Sequence, residues 1–382
     1  MSEHRIAMVG TPCEIMAASK MQYYTDSPID VKLGLFCMEN FSYKYFGNLL
    51  KEYDLKMEDI EKFKIEKGFV FLLLKNRQTV KIPLSVAKRI IRKNCNICVE
   101  LTSETSDISI GSIGSEEGWS TLIVRSQKGD EIVSGAVEQG YIKTKELDEG
   151  QFKLLNRIAQ TKINKNLETI ERREFLARPV LYQREKSDEA ITDEISQSSF
   201  PDLKSNIIDV GACVLCGACE YVCPENLITI DDTKPILKGE CPPECHACFT
   251  VCPRTFIPEE LRNDNSKAIG DYIKVLSVKS LKHSQGQDGS IVTTLLDYLL
   301  TNDIVTDALI VDKEDLLAWK PYAKVTRDID EIIKSGGTKY SVCPVFKPLR
   351  DIKEDSSQDN DKSLSKTGDI KEGSLSKTEG VN

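Results

Sequence analysis

The sequence predicts an α/β protein into which a small cysteine-rich segment is inserted. Residues 6–9 form a short apolar run that ends in a turn and leads into a helical stretch at 14–21. Residues 272–278 and 308–311 resemble strands, and the apolar residues between them recur at helical spacing, as expected of a βαβ unit. Residues 213–252, between these two segments, hold eight cysteines.

The composition is that of a globular protein and limits the classes of partner. The chain has 382 residues, is 40% hydrophobic and 29% charged, and should form two or three domains. A net charge of −9 argues against nucleic acid and against a basic membrane-binding patch. The apolar run at 69–74 is far too short to cross a bilayer, and the opening residues do not resemble a secretory signal. We therefore expect a cytoplasmic protein without a membrane span, and its thirteen cysteines point to metal binding rather than to disulfides.

The cysteine-rich segment has the ligand spacing of a bacterial ferredoxin with two 4Fe–4S clusters. Its first run is C-x2-C-x2-C-x3-C followed by Pro224, and its second is C-x3-C-x2-C-x3-C followed by Pro253. The last cysteine of each run ligates the other cluster in such ferredoxins. The predicted ligand sets are Cys213, Cys216, Cys219 and Cys252, and Cys241, Cys245, Cys248 and Cys223. The extra residue after Cys241 departs from the usual spacing, and a disulfide or zinc site is the alternative.

Four of the remaining five cysteines could ligate a third cluster, which needs four thiols. Cys13 lies at a strand–turn–helix junction, Cys37 ends a strand-like run, and Cys95 and Cys98 form a C-x2-C pair. A single C-x2-C also fits zinc or a redox disulfide, and Cys13 also fits a buried residue at a turn. Cys343 remains unassigned.

The other segments give simpler expectations. Residues 39–62 should form an amphipathic helix, 69–74 and 79–82 paired strands, and 149–181 a charged helix. Residues 183–206 are polar and typical of a linker, and the chain from 351 onward should be disordered. The glycine-bearing loop at 283–290 precedes a helix, a place suited to a phosphate, although a plain loop explains it equally well.

Together, these segments resemble the coenzyme F420 hydrogenase/dehydrogenase beta-subunit family. The matching stretches are GTPCEIMA (10–17), the Cys37 segment, CNIC (95–98), DISIGSIGSEEGWSTLIVRSQKG (107–129), GQDGSIVTTLL (286–296), WKP (319–321) and GTKYSVCPVF (337–346). In that family the glycine-loop half comes first, so the order here resembles a circular permutation. Alternatively, the chain joins halves of two neighbouring modules, and each half needs a partner chain.

The resemblance implies a mixed α+β flavin domain with an inserted two-cluster ferredoxin domain. The expected boundaries are 1–180 for the family's C-terminal-type domain, 181–206 for a linker, 207–262 for the ferredoxin domain, 270–350 for the N-terminal-type domain and 351–382 for a disordered tail.

The resemblance also implies FAD, a third cluster and coenzyme F420 as the hydride-carrying substrate. A flavin belongs between F420 and the clusters because F420 transfers electron pairs while clusters take single electrons. The flavin contacts carried over from the family are Gly286, Gln287, Asp288, Gly289 and Lys339, and the third set of cluster ligands is Cys13, Cys37, Cys95 and Cys98. We further hypothesise that F420's anionic groups bind the basic residues Lys88, Arg89, Arg92 and Lys93. Hydride transfer needs no acid or base side chain.

The function implied is that of an archaeal oxidoreductase subunit working with a hydrogenase, a formate dehydrogenase or an F420H2 dehydrogenase partner, and a homodimer is also compatible with the resemblance. Two alternatives remain open. The chain could be a ferredoxin-type electron carrier without its own flavin site, or a family member with another donor such as reduced ferredoxin.

Overall fold

A computed structural model describes residues 4–66, 68–231, 233–262, 264, 266–283, 289–313, 320–337, 339–350 and 352. Three predicted flavin contacts, Gly286, Gln287 and Asp288, lie outside these ranges, as do Trp319 and the predicted tail from 353 onward.

The strands in chain order are β1 (Ile6–Gly10), β2 (Ile29–Leu35), β3 (Ile60–Glu66), β4 (Phe69–Leu74), β5 (Thr79–Pro83), β6 (Ile108–Gly111), β7 (Ser120–Val124), β8 (Ile142–Glu146), β9 (Ile228–Ile230), β10 (Pro235–Leu237), β11 (Lys274–Ser280), β12 (Asp307–Lys313) and β13 (Pro321–Thr326). The α-helices are α1 (Pro12–Tyr24), α2 (Tyr43–Lys51), α3 (Leu84–Ala87), α4 (Gln127–Glu138), α5 (Glu149–Phe175), α6 (Asp188–Ser196), α7 (Phe200–Leu203), α8 (Ala218–Val222), α9 (Ala247–Val251), α10 (Gly289–Thr301) and α11 (Ile329–Lys334).

The centre of the molecule is a mixed sheet, which within the described ranges has eight strands in the order β13-β12-β1-β2-β6-β7-β11-β8. β12, β1, β2 and β6 are adjacent and parallel. The outer strands are antiparallel to their neighbours. The α/β class predicted from the sequence is therefore confirmed.

Helices bury both faces of this sheet. On one face, α4 and α10 place Ile132 and Leu295 in a cluster with Val31. On the other face, Ile15 of α1 packs in a cluster with Ile6 and Leu309. Strands buried on both faces have nearly continuous apolar sequences, which is why β1, β2 and β12 were recognisable in the sequence.

The two halves of the permuted order form this sheet together. β1 pairs with β12 in a parallel register that places Ile6 opposite Asp307, and β11 lies between β7 and β8. Strands from before and after the cysteine-rich segment thus pair with one another in one sheet. The single chain therefore supplies both halves.

Two expectations about local structure were wrong. The helix expected over 39–62 is restricted to α2, because the chain turns through Asp54, which has a φ of 56°, and then enters β3. The expected linker at 181–206 is folded: it contains α6 and α7, and its Ile191 and Phe200 are buried in a cluster with Phe249. Its isolated apolar residues find their partners in the ferredoxin segment and on α5, far from it in sequence, so the polar composition was misleading.

The strands predicted at 69–74 and 79–82 are confirmed as the antiparallel pair β4–β5. With β3 they form a separate three-stranded sheet in the described part of the chain. Phe63 of this sheet packs against Tyr340, with ring centroids 4.6 Å apart. The small sheet therefore contacts a segment from the far end of the chain.

No helix in the described ranges is long and apolar enough to cross a membrane.

Asp307 links the start of β1 to the hairpin of β12 and β13, and we expect its replacement by asparagine to destabilise the fold. Its carboxylate accepts hydrogen bonds from His4 (2.9 Å), Thr306 (2.8 Å) and Arg327 (3.1 Å). Burial raises the pKa of Asp307, but these partners outweigh it and leave a net lowered pKa. Loss of the charge should cost about 1–3 kcal/mol of unfolding free energy at pH 7.

The test is the thermal midpoint of Asp307→Asn across pH, with Asp303→Asn, an exposed residue at the same corner, as the control. Because the folded-state pKa is lowered, the contribution of Asp307 is present above its unfolded pKa and is lost as pH falls through the folded value. The gap between wild type and Asp307→Asn should close in acid. An equal gap at all pH values would contradict this account.

Candidate electron-transfer site

The eight cysteines of the ferredoxin segment lie around the short helices α8 and α9. Burial raises the pKa of Cys213 to about 11, and the neighbouring Cys252 raises it further. The pKa of Cys219 is raised well above its usual value by burial first, then by Cys213, Cys216 and Cys252, and last by Cys248 of the other run. These four thiols therefore form one group.

The other four thiols form a second group. Burial raises the pKa of Cys248 to about 12, and Cys241, Cys245, Cys252 and Cys223 add to the rise. Cys223 and Cys245 also raise the pKa of Cys241. The structure thus brings each run close to the last cysteine of the other, as the cross-ligation hypothesis requires, with Cys252 also near enough to influence Cys248.

The ferredoxin segment is anchored to the permuted half that follows it. The backbone N–H of Phe346 donates to the carbonyl of Cys216 at 3.0 Å. Gly217 has a φ of +93°, and a Cβ there would lie 3.1 Å from Cβ of Pro344. Glycine therefore fits this position for two reasons: it adopts the left-handed conformation readily, and it lets the backbone approach Pro344 closely.

Cys13, Cys37, Cys95 and Cys98 come together from separate elements. Cys13 is in the first turn of α1, Cys37 follows β2, Cys95 lies within a 3₁₀ turn at Lys93–Ile97, and Cys98 directly follows that turn. The backbone N–H of Asn40 donates to Sγ of Cys95 at 3.3 Å, and Nδ2 of Asn40 lies 3.7 Å from Sγ of Cys37. The pKa of Cys37 is raised by burial and also by each of the other three thiols. We call these four residues the proximal thiols.

Lys162 and Arg254 place buried positive charge beside the proximal thiols. Nζ of Lys162 donates to the carbonyl oxygens of Cys37 (2.5 Å) and Glu100 (2.6 Å). Burial alone would raise the pKa of Cys98, but the charges of Lys162 and Arg254 outweigh it and lower the pKa. The surroundings therefore favour the thiolate, the form that ligates metal.

None of the thirteen cysteines forms a disulfide, which argues against the disulfide alternative. Within the described residues, no three or more His, Cys, Asp or Glu side chains are arranged to hold a single metal ion.

A cavity of about 750 Å³ opens at the carboxyl ends of the parallel strands β1, β2, β6 and β12. Cys37 and Cys95 contribute to its wall, as do Val292 and Thr293 near the start of α10. The carboxyl edge of adjacent parallel strands is the usual ligand site of α/β sheets, and pockets of roughly 300–1,000 Å³ suit cofactors. The cavity therefore lies beside the proximal thiols.

The predicted flavin contact Lys339 lies in this wall. Burial lowers its pKa to about 8, opposed by the nearby Asp312 carboxylate, and its ammonium donates to the carbonyl of Ser335. The predicted contact Gly289 is the first residue of α10.

The basic residues predicted to hold F420 do not form one site. Lys88 lines the cavity, whereas Arg89 is exposed and pairs with Glu52 at 2.6 Å. Arg92 donates to the carbonyl of Cys213 at 3.2 Å, and Lys93 packs on Gly211. Only Lys88 of the four therefore reaches the cavity, because the 3₁₀ turns at 88–97 direct successive side chains to different neighbours.

Sequence reasoning missed the buried polar residues around the thiols, namely Lys20, Lys162, Asn166 and Arg254. Nδ2 of Asn166 donates to the carbonyls of Cys95 (2.9 Å) and Cys98 (2.7 Å). Lys162 and Asn166 are four residues apart, so they share one face of α5. That spacing was the available signal, but a charged helix offers many such pairs.

Three family models match separate parts of the chain. Two of them describe the beta subunit of coenzyme F420 hydrogenase/dehydrogenase: the model of its C terminus matches residues 3–150, and the model of its N-terminal part matches 275–350. A 4Fe–4S binding domain matches residues 206–229. The order of the first two is reversed relative to their names.

Curated relatives agree with these matches. The chain is 36% identical to coenzyme F420 hydrogenase subunit beta of Methanococcus voltae, over 47% of this chain and 66% of that protein. It is 33% identical to the protein of the same name from Methanosarcina barkeri, over 44% and 61%. A solved F420-reducing NiFe hydrogenase complex from Methanosarcina barkeri contains a chain with 33% identity over 45% of this chain and 62% of that chain, with a TM-score of 0.43. The chain therefore spans less than two thirds of the length of each of these proteins.

Proposed function

The chain belongs to the coenzyme F420 hydrogenase/dehydrogenase beta-subunit family, and from that premise we propose that it transfers electrons between F420, FAD and three 4Fe–4S clusters. The observation that carries this proposal is the position of Cys37 and Cys95 in the cavity wall. A flavin in the cavity would then neighbour the proximal thiols, so that one site performs hydride chemistry and the next accepts single electrons.

The cavity fits a flavin in size, position and chemistry. It is partly apolar, with Val9, Ile110 and Leu296 in its wall, and its polar groups include Lys88 and Lys339. FAD, when bound, would accept a hydride and release its electrons singly. Lys339 would hold an anionic or carbonyl group of the cofactor, and the first turn of α10 would supply free backbone N–H groups to a phosphate.

The three groups of thiols fit clusters because each is made of four cysteines, the donor set of a 4Fe–4S cluster. We propose the ligand sets predicted above, with the proximal thiols next to the flavin. The group of Cys213, Cys216, Cys219 and Cys252 would follow, and the group of Cys241, Cys245, Cys248 and Cys223 would be last. Glu240 and Glu244 near this last group are exposed, so electrons would leave there to a partner oxidoreductase subunit.

The shared sheet favours this function over the carrier without a flavin site. That alternative depends on halves that fail to close, whereas β1 and β12 are paired within the chain. A second candidate function uses reduced ferredoxin as the electron donor, because the two-cluster segment could equally pass electrons from its surface toward the flavin.

We expect roughly twelve iron atoms and one FAD per chain in protein purified without oxygen. Iron and flavin analysis would check the content, and titration with reduced F420 or with reduced ferredoxin would identify the donor. Bleaching of the flavin band by reduced F420 supports the proposal. About eight iron atoms and no flavin would contradict it and leave the ferredoxin function alone.

A further inference from the structure

Arg254 lies between the proximal thiols and the first group of ferredoxin thiols. It follows Cys252 by two residues, and its side chain is only 4% exposed. A small space of about 60 Å³ is lined by Arg254 together with Cys13, Cys98 and Tyr182. The guanidinium stacks on Tyr182 at 4.6 Å from the ring centroid. One side chain thus touches the surroundings of two proposed clusters.

The guanidinium of Arg254 has hydrogen-bonding capacity that the protein does not use. Its Nε and Nη2 atoms are buried without a hydrogen-bond partner among the residues that the structure describes. An unsatisfied buried donor costs about 1–3 kcal/mol, and more when it is charged. Because cluster sulfides are hydrogen-bond acceptors whose partners tune the potential, a cluster on the proximal thiols would use these donors.

The backbone that carries Arg254 is fixed by a buried lysine, Lys20. Nζ of Lys20 donates to the carbonyl of Cys252 (2.8 Å), the hydroxyl of Thr255 (2.8 Å) and the carbonyl of Phe256 (2.7 Å). Lys20 is on α1, the helix whose first turn holds Cys13. This contact keeps the segment at 252–256 in register with the proximal thiols.

We propose that Arg254 is a positioning residue that raises the reduction potential of the proximal cluster by donating hydrogen bonds to its sulfides. The inference rests on the proposed function, which supplies the cluster. Hydrogen bonds and positive charge stabilise the reduced cluster, which carries one more electron. The step that Arg254 would serve is the exchange of one electron between a cluster on the proximal thiols and a cluster on Cys252, in which no bond would form or break.

The test is a redox titration of the whole protein followed by electron paramagnetic resonance, comparing wild type with Arg254→Gln and Arg254→Lys. We expect Arg254→Gln to shift the midpoint potential of the proximal cluster to a more negative value, and by more than that of the neighbouring cluster on Cys252. Arg254→Lys, which keeps the charge but loses the planar set of donors, should shift the same potential less. The control is Arg262→Gln, since Arg262 lines the same small space but donates to the carbonyls of Lys186 and Ile257. It should leave all three potentials nearly unchanged.

The outcomes separate this inference from the proposed function. Three clusters in wild type with unchanged potentials in both Arg254 variants would overturn the inference alone. Equal shifts in Arg254→Gln and Arg262→Gln would also overturn it, because general charge would then be the cause. Wild-type protein with only two clusters would overturn both. If Arg254→Gln does not fold, the midpoint potential of the proximal cluster in Arg254→Lys tests the inference instead.

Discussion

Alanine at both Cys213 and Cys252 is expected to remove no more iron than alanine at either position alone, leaving about eight of roughly twelve atoms. Cys252 is distant from Cys213 in sequence, but the two thiols influence each other in the folded chain. Both would ligate the same cluster, so the second substitution would remove no further iron.

The matching double variant is Cys241→Ala with Cys252→Ala, and it should lose two clusters and retain about four iron atoms. If each run ligated its own cluster, the two double variants would exchange their iron contents. Cys343→Ala is the control, because Cys343 is buried outside the three groups and its removal should leave the iron content unchanged. Iron analysis and counting of resonance signals would be carried out on the wild type and on each single and double variant.

Replacing Lys162 with methionine is expected to abolish the proximal cluster while the two ferredoxin clusters stay. Methionine has a similar length, but it leaves the carbonyls of Cys37 and Glu100 without their donor and removes the charge that favours the Cys98 thiolate. Each unpaired buried carbonyl should cost about 1–3 kcal/mol. The iron content should fall to about eight atoms per chain, and the thermal midpoint should fall with it.

Lys165→Met provides the matched control for this substitution. Lys165 lies three residues further along α5 and is exposed, so its loss should change neither the iron content nor the thermal midpoint appreciably. Full iron content in Lys162→Met would show that the proximal thiols bind without the buried charge, which contradicts the role assigned to Lys162.

The sequence by itself determined the features that depend on short-range spacing. The two ferredoxin runs were recognisable because a cluster needs several thiolates on one tight loop, and α1, α10 and the buried strands were recognisable by periodicity. The motifs at 10–17, 107–129 and 337–346 identified the family and its permuted order even though they lie far apart.

Only the tertiary structure decided which distant side chains meet. Spacing could not show that Lys162, Asn166 and Arg254 converge on the proximal thiols, or that Arg89 turns away from the cavity that Lys88 lines. It could not show that the polar segment at 181–206 packs on the ferredoxin segment, or that β1 closes on β12. The physical reason is that burial, hydrogen-bond satisfaction and charge are set by the folded neighbours of a residue, and these come from segments as far as 303 positions away, as in the contact of His4 with Asp307.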